Sequence, residues 1–179
     1  MRSILKSLLV FVLLTAAGFA KDFAETKKEA EAGDAAAQFT VGFMYENGEG
    51  VPKDSVEALT WYRKAAEQGF FKAQTNLGLM YANGTGVPKD DAEAVKWFRL
   101  AADQGIAKAQ YNLGLMYAKG TGVPKDLVQA HVWSNIAGAN GIEIAKNNLA
   151  SLEKQMTDSQ KEKAMDMASE LFAKLPKEN

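Results

Sequence analysis

The sequence contains no cysteine and a single histidine, His131. The absence of cysteine excludes disulfide bonds, thiol catalysis, cysteine-ligated zinc and a lipid anchor on an N-terminal cysteine. One imidazole also excludes a two-histidine metal site, and we expect neither a metal nor a cofactor. The 179 residues must therefore be stabilised by packing, and they suffice for one domain that buries roughly two thirds of its surface.

An excess of basic side chains is absent as well, because 21 lysines and arginines stand against 22 acidic residues. Proteins that bind nucleic acid neutralise phosphates with clustered basic side chains, and no such patch is visible in this sequence. We therefore expect no nucleic-acid partner.

The beginning of the chain resembles a secretory signal peptide. Arg2 and Lys6 precede a short apolar stretch from Leu8 to Leu14. Gly18 and Ala20 are the small residues expected before a cleavage site. The apolar stretch is shorter than the roughly 20 residues that cross a bilayer as a helix, so we expect no membrane span after cleavage. The prediction is a periplasmic or secreted protein, with an uncleaved N-terminal anchor as the alternative.

One eight-residue stretch occurs three times at intervals of 36: NGEGVPKD begins at residue 47, NGTGVPKD at 83 and KGTGVPKD at 119. A phosphate-binding loop needs one copy, with Gly-Lys-Ser/Thr after a strand, whereas evenly spaced copies indicate joints in a repeat array. We divide the chain into a signal peptide (1–20), an N-terminal capping helix (21–32), repeats (33–155: 33–68, 69–104, 105–140 and a partial 141–155) and a C-terminal capping helix (156–179).

Each repeat is predicted to form two helices. In the third repeat the first helix carries apolar residues on one face, at Ala109, Leu113, Met116 and Tyr117. Gly120 can end this helix in a left-handed conformation, and Pro124 turns the chain. The second helix is predicted to begin with an N-cap at Asp126 and its partner Gln129. The same cap is predicted in the preceding repeats, at Asp54 with Glu57 and at Asp90 with Glu93.

The combined pattern A-Q-x-N-L-G-x-M-Y-x-x-G-x-G-V-P-K-D-x-x-x-A-x-x-W-x-x-x-A-A-x-Q-G resembles the Sel1-like repeat, a relative of the tetratricopeptide repeat. Ala73 to Gly105 follows it best, and Ala37 to Gly69 and Ala109 to Gly141 depart at a few positions. The resemblance implies an all-α fold, a right-handed α-solenoid of antiparallel helix pairs. It also implies a scaffold for protein–protein interaction, a role often found in exported bacterial proteins. We therefore expect an exported adaptor or regulator that is not an enzyme and that binds its partner through a concave groove.

A second function remains open because some cysteine-rich members of this family are linked to β-lactam binding or hydrolysis. The alternative is therefore a hydrolase or binder of β-lactams or cell-wall fragments, although the disulfide pattern of those members is missing here.

The face of each first helix opposite its core face is predicted to line the concave groove of the solenoid. Apolar side chains recur there at helical spacing, which suits an extended peptide or a helix from a protein partner. The alternative is that these side chains pack on one another across a tightly curved groove. The predicted partner-binding residues are Phe39, Phe43, Thr75, Leu79, Asn83, Tyr111, Leu115 and Lys119.

The outward face of the second helix loses every charge in the third repeat. Thr60, Arg63, Lys64 and Glu67 of the first repeat correspond there to Val132, Asn135, Ile136 and Ala139. We expect a helix after residue 141 to cover this stripe, with a partner or self-association as the alternative. The last helix is predicted to start at Thr157 with Gln160, carry its apolar stripe from Ala164 to Leu175 and stop at Pro176.

Three residue types invite a chemical interpretation. His131 occupies a position held by apolar residues in the other repeats, so a packed histidine is favoured over a general base. The tryptophans recur once per repeat, at Trp61, Trp97 and Trp133, and are predicted to be core residues rather than stacking platforms for a sugar. Asn76, Asn112 and Asn148 share one repeat position, where bridging between helices is favoured over bonding to a partner backbone. No catalytic residue is predicted.

Overall fold

The computed structural model of the protein describes residues 23–176, which form nine α-helices and no β-strand. The predicted signal peptide and the expected cap at Asp22 lie outside the described residues. In chain order the helices are α1 (23–31), α2 (Ala35–Asn47), α3 (Ser55–Glu67), α4 (Phe71–Asn83), α5 (Asp91–Asp103), α6 (Ala107–Lys119), α7 (Leu127–Ala139), α8 (Glu143–Glu153) and α9 (Asp158–Lys174).

The helix ends are where the repeat pattern predicts them. Helices α2 to α7 all have 13 residues. Gly48 and Gly120 follow α2 and α6 in the left-handed conformation, with φ of 77° and 70°. An aspartate side chain caps the first turn of α3, α5 and α7. Its carboxylate oxygen accepts a hydrogen bond from the backbone N–H three residues later. The acceptor and donor pairs are Asp54 and Glu57 (3.1 Å), Asp90 and Glu93 (2.9 Å), and Asp126 and Gln129 (3.0 Å).

The link inside each helix pair is closed by one backbone hydrogen bond. The N–H of the capping aspartate donates to the carbonyl of a tyrosine near the end of the preceding helix, at Asp54 to Tyr45 (2.9 Å), Asp90 to Tyr81 (3.0 Å) and Asp126 to Tyr117 (3.0 Å). The same sequence therefore builds the same turn three times.

The described chain divides into two compact units. The first contains residues through Ala73 together with Thr85–Val87, and the second contains Gln74–Gly84 and the chain from Pro88 onward. In the first unit, a core of Ala30, Ala37, Val41 and Trp61 joins α1 to the first helix pair. Phe23 of α1 packs edge-on against Tyr45 of α2, with ring centroids 5.4 Å apart.

Glycine brings the two helices of each pair into close contact. A Cβ added to Gly42 of α2 would lie 2.7 Å from a ring carbon of Tyr62 in α3. Within the second unit, a Cβ on Gly78 would lie 2.7 Å from Phe98, and one on Gly114 would lie 3.0 Å from the Ser134 Oγ. The absence of a side chain at Gly114 therefore lets α7 come close to α6.

In the second unit, α6 packs against α5 and α7, and α7 packs against both α8 and α9. Val132 and Ile136 of α7 are each 1% exposed. Ala164 and Ala168 are the buried residues of α9, and a full capping box of Thr157 and Gln160 starts this helix. Helices after residue 141 therefore cover the stripe of α7 at Val132 and Ile136, as predicted, whereas Asn135 is half-buried and Ala139 is exposed.

A repeated glutamine ties consecutive helices together, and the sequence analysis did not single it out. The Gln38 Nε2 donates to the Ala30 carbonyl (3.0 Å), and its Oε1 accepts from Gln68 (2.7 Å). In the second unit Gln110 makes the equivalent hydrogen bonds. Its Nε2 donates to the Ala102 carbonyl (3.2 Å), and its Oε1 accepts from the Asn140 Nδ2 (2.9 Å). The buried amide thus satisfies its donor and its acceptor within the fold.

Candidate interaction groove

In the first unit, one of the two predicted α2 residues packs within the chain and the other is open. The half-buried Phe39 ring lies 5.5 Å from the Tyr62 ring and 5.2 Å from the Phe70 ring, centroid to centroid. Phe43 is 41% exposed. Phe39 therefore packs on two rings that are not among the predicted groove residues, whereas Phe43 offers an apolar surface.

In the second unit, the predicted residues of α4 and α6 differ in exposure. Leu79 is 39% exposed, Asn83 and Lys119 are exposed, and Tyr111 and Leu115 are half-buried. These side chains keep accessible surface, although their role in binding a partner stays a prediction.

Thr75 corrects the expectation that every residue at this position faces water, because it is buried with 6% exposure. The equivalent residues Phe39 and Tyr111 have long aromatic side chains that reach beyond the backbone of the helix. The threonine side chain is too short to reach that far, so the neighbouring residues cover it. The Thr75 hydroxyl therefore belongs to the packed interior.

A cavity of about 310 Å³ lies between α4 and α6 in the second unit, and it is larger than the neighbouring cavity described next. Its walls include apolar side chains from both helices and polar groups at its rim. The residues that line it include Leu79, Asn83, Lys89, Asp91, Asn112, Leu115 and Lys119.

The smaller cavity lies between α6 and α8 and has a volume of about 170 Å³. Gly114, Leu115 and Ala118 form its α6 wall, while Asn148 and Leu152 belong to the α8 wall. Leu115 lines both cavities, so they are neighbours with this side chain between them. We call the two cavities together the α4–α6–α8 groove.

The asparagines that share a repeat position are not bonded as predicted. Asn76, Asn112 and Asn148 are half-buried, and their side chains make no hydrogen bond to any other residue from 23 to 176. Bridging between helices, the favoured interpretation, is wrong because the buried glutamines already tie the helices together. Asn112 lines the larger cavity and Asn148 the smaller one, so each amide is available at the groove.

The charge at the groove is concentrated at the larger cavity. The Lys89 ammonium pairs with the Asp91 carboxylate at 3.4 Å. Lys119 is exposed and forms no ion pair with another described residue. The walls of the smaller cavity carry hydroxyl and amide groups and no charged side chain. The groove therefore presents one uncompensated positive charge, at the end of α6.

His131, Trp61 and Trp133 lie in the packed interior, whereas Trp97, which was also predicted to be a core residue, is half-buried. His131 is 1% exposed, with its Nε2 3.2 Å from the Glu153 Oε1 of α8. Trp61 and Trp133 are 5% and 1% exposed, which confirms them as core residues. The Arg99 guanidinium covers the face of Trp133, 4.9 Å from the ring centre. No cluster of three potential metal ligands occurs in the part of the chain that the structure describes.

The architecture of the described residues defines the class of protein to which the chain belongs. Helix pairs of constant length, repeated at a fixed interval with the same caps, define an all-α repeat protein of the α-solenoid class. The sequence profile of the Sel1 repeat matches residues 35–70, 71–106 and 107–142. The chain belongs to the Sel1 repeat family.

Several solved structures resemble the chain, and two of them are described here. A Sel1 repeat protein from Oxalobacter formigenes is 39% identical over 76% of this chain and 58% of its own length, with a TM-score of 0.65. The protective antigen c5321, present in uropathogenic Escherichia coli strains and displaying an SLR fold, is 36% identical over 83% of this chain and 33% of its own, with a TM-score of 0.72. No curated protein matches the chain.

Sel1 repeat scaffold proteins generally mediate protein–protein interaction. The chain spans 58% of the first solved relative and 33% of the second. Among residues 23–176, the structure contains no helix with the length and apolarity required to cross a bilayer.

Proposed function

We propose that this protein is an exported adaptor or regulator that binds a protein or peptide partner through the α4–α6–α8 groove. The observation that carries the proposal is the combination of accessible apolar side chains with unbonded asparagine amides along one groove. Leu79 and Leu115 supply apolar contact, and Asn112 and Asn148 supply hydrogen bonds that the fold leaves unused. Phe43 of α2 offers an apolar side chain at the repeat position of Leu79 and Leu115.

Export is proposed from the N-terminal segment alone. Its basic start, short apolar stretch and small residues before the expected cleavage site fit a signal peptide, and a periplasmic or secreted location follows. Cleavage after Ala20 leaves 19 basic and 22 acidic residues, a net charge near −3. The cleaved chain begins at Lys21, so intact-mass measurement of the purified protein tests this part of the proposal directly.

The alternative of a β-lactam or cell-wall hydrolase gains no support from the histidine. His131 is buried and faces Glu153, and it makes no hydrogen bond to Ser134, the nearest serine along the helix. A serine hydrolase needs its base within hydrogen-bond reach of its nucleophile.

The test of the proposed function is photocrosslinking in the native host. A photoreactive amino acid at position 111 lies on α6 about one helical turn from Leu115, and the same amino acid at the exposed Lys96 of α5 serves as the control position. We expect one identified partner to be captured from position 111 and not from position 96. Leu115→Glu, which places a charge between the two cavities, is expected to abolish that capture while leaving the helical circular dichroism unchanged.

Capture of the same proteins from both positions would overturn the proposal. So would capture from position 111 that Leu115→Glu does not reduce, because the partner would then contact a surface outside the groove.

A further inference from the structure

The smaller cavity of the groove is built from the same repeat positions as the larger one. Seven of the eight residues that line it have an equivalent, 36 residues earlier in the chain, in the wall of the larger cavity. The two cavities therefore differ mainly in a few side chains. Three apolar or charged residues of the larger cavity are replaced by neutral polar residues in the smaller one: Phe98 by Ser134, Leu115 by Ser151 and Lys119 by Gln155.

The serine at position 134 stands where the earlier repeats carry an aromatic residue, Tyr62 or Phe98. In the second repeat the Phe98 ring fills the space beside Gly78, because a Cβ built on that glycine would lie 2.7 Å from the ring. In the third repeat the nearest side-chain atom to a Cβ built on Gly114 is the Ser134 Oγ, at 3.0 Å. Gly114 and Ser134 both line the smaller cavity. The serine therefore opens a space that an aromatic ring occupies in the other repeats.

The Ser134 hydroxyl has no partner inside the fold. Ser134 is 2% exposed, and its side chain makes no hydrogen bond to any residue from 23 to 176. Helix α7, which carries it, packs against both α6 and α8, so the hydroxyl lies deep between the two walls of the cavity. Buried polar groups of native proteins are hydrogen-bonded. The hydroxyl therefore indicates that the occupant of this cavity is polar.

The other polar groups of the cavity are neutral and offer both donors and acceptors. The Asn148 amide, which is unbonded, supplies two N–H donors and one carbonyl acceptor. The Gln155 Nε2 donates to the Ser151 carbonyl (3.2 Å), and its Oε1 remains as an acceptor. Because no charged side chain lines the cavity, an ionised group would lose its hydration without gaining a counter-charge. The walls therefore favour a neutral group that both donates and accepts.

The size of the cavity narrows the choice further. Its volume is about 170 Å³, and one water molecule occupies about 30 Å³ of the liquid, so it has room for about five or six non-hydrogen atoms. A glutamine side chain has about that number beyond its Cα. Its carboxamide carries an acceptor oxygen and an NH₂ donor on neighbouring atoms, so it can exchange two hydrogen bonds with a second amide. A hydroxyl group presents a single oxygen and matches the Asn148 amide less well.

We propose that the smaller cavity of the α4–α6–α8 groove is a recognition site for a glutamine side chain of the partner. The carboxamide pairs with the Asn148 amide and bonds the Ser134 hydroxyl, while Leu115 and Leu152 contact its methylene groups. This inference rests on the proposed function, since it identifies a side chain that the same groove recognises. It adds Ser134 to the groove residues, which the sequence analysis did not single out.

The probe is propionamide, which reproduces the glutamine side chain from its Cβ outward. Propionate and butanone have nearly the same shape, but propionate is an anion and butanone has no N–H donor. Each compound is titrated into the isotope-labelled full-length protein, and the Gly114 backbone and Asn148 side-chain amide resonances are followed by NMR. We expect saturable binding of propionamide in the millimolar range, and at least about tenfold weaker binding of propionate and butanone.

Variants of the protein test the two groups that would bond the carboxamide. Ser134→Ala keeps the cavity and is expected to weaken propionamide binding about fivefold, the effect of one lost hydrogen bond. Ser134→Phe restores the residue of the second repeat and is expected to abolish binding, because the ring refills the cavity. Asn148→Asp keeps the shape, removes the donors and adds a charge, so at least about tenfold weakening is expected. Asn147→Asp adds the same charge at an exposed position outside the cavity walls and is expected to have no effect. If Ser134→Phe does not fold, Ser134→Ala and Asn148→Asp decide the question.

Failure of propionamide to bind, or equal affinity for propionamide and butanone, would overturn the glutamine assignment. Equal effects of Asn147→Asp and Asn148→Asp would overturn it as well. Partner capture from position 111 that depends on Leu115 but is unchanged by Asn148→Asp would overturn this inference and leave the proposed function standing. Selective propionamide binding without capture of any partner would overturn the proposed function, and the source of the carboxamide would then be a free amide rather than a protein side chain.

Discussion

At the scale of single residues, glycine is required for two separable reasons. Gly141 has a φ of 95°, and a Cβ added there would meet nothing within 4 Å. Gly122 has a φ of 71°, and its added Cβ would lie 2.2 Å from the carbonyl oxygen of Asp91. Gly141 is therefore required by backbone conformation alone, whereas Gly122 is required by conformation and by contact with the start of α5.

This difference predicts unequal costs for the same substitution. Gly141→Ala is expected to lower the free energy of unfolding by about 1 kcal/mol, the cost of a left-handed conformation for an L-residue. Gly122→Ala is expected to cost about 2 kcal/mol more, because the backbone of the link must also move away from Asp91. Chemical denaturation of the two variants beside the parent measures both values.

Equal destabilisation by the two substitutions would contradict this account. It would mean that the contact between the link and the start of α5 contributes nothing to stability, and that φ alone selects glycine at both positions.

At the scale of elements, α9 is the helix of the second unit that packs on the outward face of α7. Terminal repeats have only one neighbouring repeat, so an apolar face must be covered or exposed to water. The outward stripe of α7 lacks charge, and Val132 and Ile136 are almost fully buried where α9 packs on α7. Helix α9 thus covers apolar surface of α7 that would otherwise face water.

Removal of α9 is the corresponding prediction. A chain that ends at Gln155 is expected to lose at least about 2 kcal/mol of stability, because fully burying one Val or Ile side chain is worth about 1.5–3 kcal/mol. It is also expected to self-associate through the exposed stripe of α7. Denaturation and sedimentation velocity at several concentrations measure the two effects.

Met165→Ala is the control for this truncation, because Met165 lies on the open face of α9 with 59% exposure. It is expected to change neither stability nor sedimentation. A truncated chain that is monomeric and as stable as the parent would show that α9 does not cover α7 in solution.

Elements governed by local rules were predictable from the sequence. Gly120 ends α6 and Asp126 caps α7 because a positive φ and a side-chain acceptor act within a few residues. The burial of Thr75 and the unbonded state of Asn112 were not predictable, because both depend on how far neighbouring helices approach. The burial of Gln110 was not predictable either. An Ala-Gln pair recurs in every repeat, but nothing in the local sequence indicates that the glutamine is buried.

At the scale of the whole molecule, the chain is built from interchangeable 36-residue segments. The Sel1 repeats occupy residues 35–70, 71–106 and 107–142 without a gap. Each contains the same helix lengths, the same close-contact glycine and the same capping aspartate. In such arrays stability is approximately a sum over repeats and the interfaces between them, so loss of one complete segment is expected to leave a foldable protein.

The most specific test of this prediction uses a deletion whose two ends lie inside helices. Removal of residues 77–112 joins the first half of α4 to the second half of α6 and gives the hybrid helix FKAQTNLGLMYAK, in which every residue keeps its repeat position. Removal of 77–110 leaves two extra residues and rotates the second half of the helix by about 200°, because each residue turns an α-helix by about 100°. The leucine and methionine of the core face then point away from the core.

We expect the 36-residue deletion to unfold cooperatively, with parent-like helical circular dichroism per residue and a lower free energy of unfolding than the parent. The 34-residue deletion retains more of the natural sequence, yet it is expected to lose cooperative unfolding and to aggregate. If the two deletions behaved alike, the length of the chain rather than the register of its repeats would determine the fold. The difference in cooperativity between the two deletions therefore measures how strictly the fold depends on the 36-residue interval. The spacing of the cavities in the groove depends on the same interval.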